Sequence, residues 1–265
     1  MSGLALPYVP TPTLPVDLPL LGPLTITPFG PLVVVGIVLG YRASMAYAAR
    51  QGLDAKLTDR LVVWVAVGGL LMAHWVAVLA YHPQAVLDEP WILLQVHRGI
   101  ASTGGFVGGA LTFAWCCRRW GLDPIRHADT IAYGLLIAFS IGRIGCSLVH
   151  DHPGAVVSPD AWLAVGPWPD GTRRFDLGLI ELLVVLVPIG AYVYGYARKH
   201  PPAPGVLTVR MAIAYCSLRF WLDFLRAEDA RYGPLTPGQY ACIALLVAAI
   251  VFRRVRSSRR ATLDA

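Results

Sequence analysis

Two stretches of this chain put arginine where arginine is costly. In the run Arg219-Phe220-Trp221-Leu222-Asp223-Phe224-Leu225-Arg226 the charges recur at i, i+4 and i+7, one face of a helix, in otherwise apolar surroundings. In Gly142-Arg143-Ile144-Gly145-Cys146-Ser147-Leu148-Val149-His150, residues Arg143, Cys146 and His150 repeat part of that spacing, and Asp151, His152 and Gly154 follow. A third apolar run, 177–197, carries a single charge, Glu181. The planar guanidinium fork donates two parallel hydrogen bonds and suits phosphate. Two buried arginines against fewer buried acids leave net positive charge, which an anionic ligand would neutralise. His150, Asp151 and His152 offer groups for proton transfer, because a neutral imidazole titrates near neutrality. The plainer reading makes Arg219–Asp223 and Arg143–Glu181 ion pairs between helices, Cys146 a small buried hydrophobe and the histidines part of a solvated loop. No metal is expected, since adjacent residues rarely turn toward one ion.

These groups need elements to hold them at one depth. Of the 265 residues 56% are hydrophobic and 14% charged, against about 25% charged in soluble domains. Runs of roughly 20 apolar residues suffice to cross a bilayer, and they predict helices near 29–48, 61–81, 99–117, 128–149, 177–197, 205–226 and 236–253. The expectation is an all-α membrane protein of about seven transmembrane helices. Residues 1–28 form an outer N-terminal segment, rich in proline and without Lys or Arg, that does not read as a secretory signal. Residues 150–176 form an outer loop long enough for a small cap, and residues 254–265 a basic tail. The third run is rich in glycine (Gly99, Gly104, Gly105, Gly108, Gly109), as close helix packing in lipid favours. One side collects Arg42, Arg50, Lys56, Arg60, Arg118, Arg119, Arg126, Arg198, Lys199, Arg210 and the tail arginines, the other only Arg98, Arg173, Arg174, Arg226 and Arg231. The basic side is cytoplasmic, so the N-terminus is outside and the C-terminus cytoplasmic in a multi-pass inner (plasma) membrane protein. The net charge of +6 then reflects topology and anionic lipid, not nucleic acid. Five scattered cysteines, none in CxxC spacing, predict neither a disulfide framework nor a zinc site. On this topology Arg143, Arg219, Glu181, His74 and Thr103 fall in the outer half of the bilayer. An ionisable group there costs about 2.5–3.5 kcal/mol on insertion scales, which marks a functional site.

The motifs resemble those of the prolipoprotein diacylglyceryl transferase family, in order from about residue 29 to 250. Gly142-Arg143-Ile144-Gly145 with Asp151 and Gly154 is similar to its GRxGN stretch and following acid and glycine. Gly104-Gly105 matches the pair in its third helix, and Arg219, Phe220, Asp223, Phe224 and Arg226 match its late arginine motif. Leu235, Thr236, Gly238 and Gln239 match the opening of its last helix, and Glu181 falls where the family carries a glutamate. The chain departs from that pattern with Thr103 for a histidine, Cys146 for an asparagine, Asp151 for a glutamate, Phe29 for a tyrosine and His74 for an arginine. The resemblance implies transfer of a diacylglyceryl group from phosphatidylglycerol to the lipobox cysteine of a prolipoprotein, without a cofactor. Its partners would be phosphatidylglycerol, or another anionic phospholipid, and prolipoprotein signal peptides. On this implication Arg143, Arg219, His150, Asp151 and Thr103 are the catalytic candidates, with His152 or His74 as further bases. Phe29, His74, Gly104, Gly105, Arg143, Gly145, Cys146, Gly154, Glu181, Asp223 and Arg226 are the binding candidates. The same donor site would also serve a transferase with another acceptor, or a subunit that binds phospholipid without chemistry.

Overall fold

The computed structural model describes residues 6–18, 22–96, 99–158, 160–227 and 231–263; Arg98 and the last two tail residues lie outside these. Helices occupy all seven predicted stretches: α1 (Phe29–Arg50), α2 (Ala55–Val76), α4 (Ser102–Trp120), α5 (Pro124–Val149), α6 (Leu177–Ala197), α7 (Val206–Leu222) and α8 (Pro237–Leu263), with a short α3 (Pro83–Asp88) between. Five described helices are long and apolar enough to cross a membrane: Phe29–Arg50, Ala55–Ala80, Pro124–Val149, Leu177–Ala197 and Pro237–Arg254.

The boundaries move for local reasons. α2 starts six residues before the expected position because Asp54 caps it, its carboxylate accepting from the Leu57 amide at 2.7 Å. α4 starts at Ser102, not 99, since Gly99 sits at φ +145, a conformation no helix contains. α7 ends at Leu222 and gives way to a 3₁₀ turn at Asp223–Leu225, leaving Arg226 extended at φ −69, ψ 129. The expectation of one continuous helix through Arg226 is therefore corrected: the Arg226 backbone turns away to bridge Gly154. α8 opens on a capping box, in which the Gln239 amide donates to Thr236 Oγ1 at 3.2 Å and the Thr236 amide to Gln239 Oε1 at 3.0 Å. That gives the Leu-Thr-x-Gly-Gln opening a physical cause. Asp129 caps α7: its carboxylate accepts from the Gly205 amide (2.8 Å), the Thr208 amide (2.8 Å) and the Thr208 hydroxyl (2.7 Å).

The chain forms two compact units. One comprises Met1–Gly40, Gly134–Pro202 and Arg210–Asp229. In it α1 packs on α5 through glycine: a Cβ on Gly36 would lie 2.7 Å from the Ala138 carbonyl oxygen, and one on Gly40 2.7 Å from that of Gly134. The N-terminal segment carries an antiparallel hairpin, β1 (Leu14–Leu18) and β2 (Gly22–Ile26), pairing Leu14 with Ile26 and Val16 with Leu24. The outer loop holds a three-stranded sheet in the order β3 (Pro153–Val156), β5 (Arg174–Asp176), β4 (Ala164–Val165). Leu6 joins that sheet through hydrogen bonds with Ala164 and Gly166. Beneath it Leu163, Leu177 and Ile180 are buried against Leu6, Phe175, Leu222 and Leu225. The loop is therefore a folded cap with its own core.

The other unit comprises Tyr41–Tyr133, Ala203–Val209 and Ala230–Ala265. Its main packing is α2 on α4, where Gly104 and Gly108 leave no room for a Cβ against Met72. Close backbone approach of this kind is how helices associate in lipid, where the hydrophobic effect supplies no drive between them.

Candidate active site

Within the first unit, α5, α6, α7 and the cap bring charges together. Glu181 on α6 is 1% exposed and accepts from two arginines. Arg143 Nη2, on α5, lies 3.2 Å from Glu181 Oε2, and Arg219 Nε, on α7, lies 3.5 Å from the same oxygen. The other Glu181 oxygen accepts from the Tyr215 hydroxyl at 2.7 Å. Arg219 Nη1 continues to Asp223 Oδ1 at 2.5 Å, and Arg226 Nε reaches that oxygen at 2.7 Å. The chain Arg143–Glu181–Arg219–Asp223–Arg226 thus links three guanidinium groups through two carboxylates, an excess of one positive charge. Both expected pairings form, and neither closes the balance.

Arg143 is the sharpest point of the cluster. Its side chain is 2% exposed, lies over the Phe139 ring at 5.0 Å, and has no hydrogen-bond partner at Nε among the described residues. Its Nη1 donates to Cys146 Sγ at 3.7 Å, a weak acceptor. Leaving a buried donor unmet costs about 1–3 kcal/mol, more for a charged group. An anion that meets it recovers that cost.

The glycines around the cluster admit close approach. A Cβ on Gly145 would lie 3.1 Å from Phe29 Cα, so α1 begins directly against α5 at this level. A Cβ on Gly154 would lie 2.9 Å from the carbonyl oxygen and Cβ of Phe175, and Gly154 bridges the Arg226 backbone. A Cβ on Gly178, at the start of α6, would lie 3.2 Å from Cys146 Cβ and from the Ser147 amide nitrogen. The free, buried thiol of Cys146 lies with Asp151 and His152 in a group whose candidate ligand atoms are all within 4.8 Å of one another.

The titratable residues of the cap divide into two kinds. Burial pushes the Asp151 carboxyl up to about 6, with Arg143 pulling it the other way. Burial, then the guanidinium groups of Arg143, Arg226 and Arg219, hold His152 down at about 2, so it is neutral at ordinary pH. Asp151 Oδ1 and His152 Nδ1 are 3.7 Å apart. His150 differs. Its Nδ1 is 2.6 Å from Asp176 Oδ2, its Nε2 is 3.0 Å from the Val9 carbonyl oxygen, and its ring stacks on Tyr8 at 4.4 Å. Both neighbours are acceptors, so neither ring nitrogen is open to a substrate. Its backbone is left-handed at φ 52, which costs a non-glycine residue about 1–2 kcal/mol. Asp176, whose carboxyl burial pushes up, also caps α6 by accepting from the Leu179 amide at 3.1 Å.

The remaining expected residues belong to the second unit. His74 is fully buried, and its ring nitrogens face the carbonyl oxygens of Gly99 (2.9 Å) and Ile92 (2.8 Å), tying the α2–α4 connection to α2. Thr103 stands in the first turn of α4. Gly104 packs against Met72, Ala73 and Val76, and a Cβ on Gly105 would lie 3.7 Å from that of Ala73. Sequence reasoning missed two members of the first unit's site, Tyr215 and Asp176. Tyr215 precedes Arg219 by one helical turn, a spacing that could have flagged it; Asp176 is set by tertiary contact with His150.

The sequence profile of the prolipoprotein diacylglyceryl transferase family matches residues 15–254. A phosphatidylglycerol–prolipoprotein diacylglyceryl transferase of Gloeobacter violaceus is 30% identical over 225 residues, 82% of this chain and 83% of that protein. One from Staphylococcus carnosus is 32% identical over 248 residues, 89% of each chain. One from Azoarcus sp. is 28% identical over 250 residues, 91% of this chain and 94% of that protein. With the profile spanning most of its length, the chain belongs to the prolipoprotein diacylglyceryl transferase family.

Proposed function

We propose that this protein moves the diacylglyceryl group of phosphatidylglycerol onto the lipobox cysteine of a prolipoprotein, from a site in the outer half of the inner membrane. The names of its relatives supply the reaction. The observation that carries it to these residues is the buried, net-positive arginine cluster with an open donor at Arg143 Nε. Arg143 and Arg219 hold the donor phosphate, and Arg226 adds charge at the rim. Asp151, poised near neutrality, takes the proton of the incoming thiol, because the thiolate is the nucleophile. The sulfur then attacks the glyceryl carbon next to the phosphodiester oxygen. That carbon–oxygen bond breaks, and glycerol phosphate leaves with the electron pair. The arginines stabilise the charge that grows on the departing oxygen. His150 positions the cap through Asp176 and Val9 instead of acting as base.

The proposal includes seven spans, an outer N-terminus and a cytoplasmic tail. It has a direct test. Purified protein is incubated with phosphatidylglycerol and a peptide containing a lipobox, and the peptide is weighed by mass spectrometry. The expected result is one added diacylglyceryl group on the cysteine and none on a peptide with serine in its place. An unchanged cysteine peptide would overturn the assignment.

A further inference from the structure

The arginine cluster accounts for a headgroup but not for the chains attached to it. Beside it, α6 and α7 leave a groove of about 270 Å³. Val185 and Ile189 on α6, with Ala214 and Leu218 on α7, form its apolar walls. On α6, Val185 stands four residues beyond Glu181; on α7, Leu218 directly precedes Arg219. The groove therefore begins at the level of the ion pairs and runs away from them, down to Arg210. At 1.5 Å per residue that is a length of about 12 Å. Its far end is closed by Arg210, whose Nη1 donates to the Tyr192 hydroxyl at 2.5 Å. Among the described residues, no acidic one lines it.

A hydrocarbon chain is the occupant that fits these walls. A free anion gains nothing from Val185, Ile189 and Leu218. An extended peptide would bring backbone N–H and C=O groups that apolar walls leave unsatisfied, at several kcal/mol each by the general cost of such burial. Its lining starts one residue before Arg219 on α7 and one turn beyond Glu181 on α6, within reach of a chain attached to a phosphate at those charges.

We propose that this groove holds one acyl chain of the phospholipid donor, and that the contacts between α6 and α7 set how strongly chain length counts in donor binding. This rests on the transferase reading above. The test compares dipalmitoyl with dihexanoyl phosphatidylglycerol, in transfer kinetics and in retention of each lipid by the purified protein. The variants are Ala214→Phe, which fills the middle of the groove, and Met211→Trp, which fills its far end. The expected result is that the wild-type preference for dipalmitoyl lipid, as a ratio of KM values, falls about tenfold in Ala214→Phe, equivalent to roughly two lost methylene contacts. Retention of dipalmitoyl lipid falls with it. Met211→Trp serves if Ala214→Phe does not fold, and predicts the same direction. Equal KM changes for both lipids would overturn the proposal. So would loss of bound lipid with unchanged kinetics, which would assign the groove to a resident lipid. If the wild type transfers neither lipid, the transferase reading fails, and the groove is then judged on retention alone: preferential, Ala214-dependent retention of dipalmitoyl lipid supports it, and indifference to chain length sinks it.

Discussion

Glu181 carries more of the site than either arginine, because both lean on it. Removing its charge takes away the carboxylate that both guanidinium groups share in an apolar setting. Breaking a buried pair at one partner costs about 3–5 kcal/mol, so Glu181→Gln is expected to lower the melting temperature sharply as well as weaken transfer; an unchanged melting temperature would show that the pair is not buried in solution. The base assignment makes a separate prediction. If Asp151 acts deprotonated as proposed, the transfer rate rises with pH through about 6 and levels off above it. Asp151→Asn abolishes that rise along with most of the activity. His150→Ala lowers stability and leaves the midpoint in place, whereas a moved midpoint would return the base role to the imidazole. Much of this cluster was legible in the sequence. Arg143, Glu181, Arg219, Asp223 and Arg226 announce themselves as charges inside apolar runs, where only a partner or a ligand justifies them. Asp176 was not legible, since an aspartate in a loop is ordinary until its partner is known, and Tyr215 was marked only by its one-turn spacing from Arg219.

At the scale of elements, the sequence marks helices well because a bilayer demands length and apolar composition together. It marks their ends less well, because ends are decided by single side chains such as Asp54 and by backbone freedom such as that of Gly99. The cap was legible only as a long loop. Its three short strands show no sustained alternation, and Leu6, far away in sequence, adds its own backbone to their sheet. Gly154 is the element-scale test of the cap. A valine there meets Phe175 and must push β3 away from β5 and from the Arg226 backbone. Such overpacking costs about 1–3 kcal/mol. Gly154→Val is expected to lower thermal stability by that amount and to raise the KM for phosphatidylglycerol, since Arg226 is displaced; stability and KM both at wild-type levels would show that the cap does not seat the arginine.

For the whole molecule, the proposed orientation rests on the distribution of Lys and Arg, which would put Arg50, Arg118, Arg119 and the tail on the cytoplasmic side. A reporter that is active only in the cytoplasm is expected to work when fused after the C-terminus and to fail when fused at the N-terminus. The opposite pattern would place the arginine cluster in the inner half of the membrane and remove it from secreted substrates. The assembled reading is that a buried surplus of guanidinium charge receives a phospholipid headgroup and steadies it as it leaves. The most direct measurement is the rate of diacylglyceryl transfer to a lipobox peptide by wild type, Arg143→Ala and Arg219→Ala, with folding of each checked by thermal melting. Each folded variant is predicted to lose at least about 100-fold in rate, the scale of removing one donor aimed at developing charge. A folded Arg143→Ala variant that transfers at the wild-type rate would contradict the account.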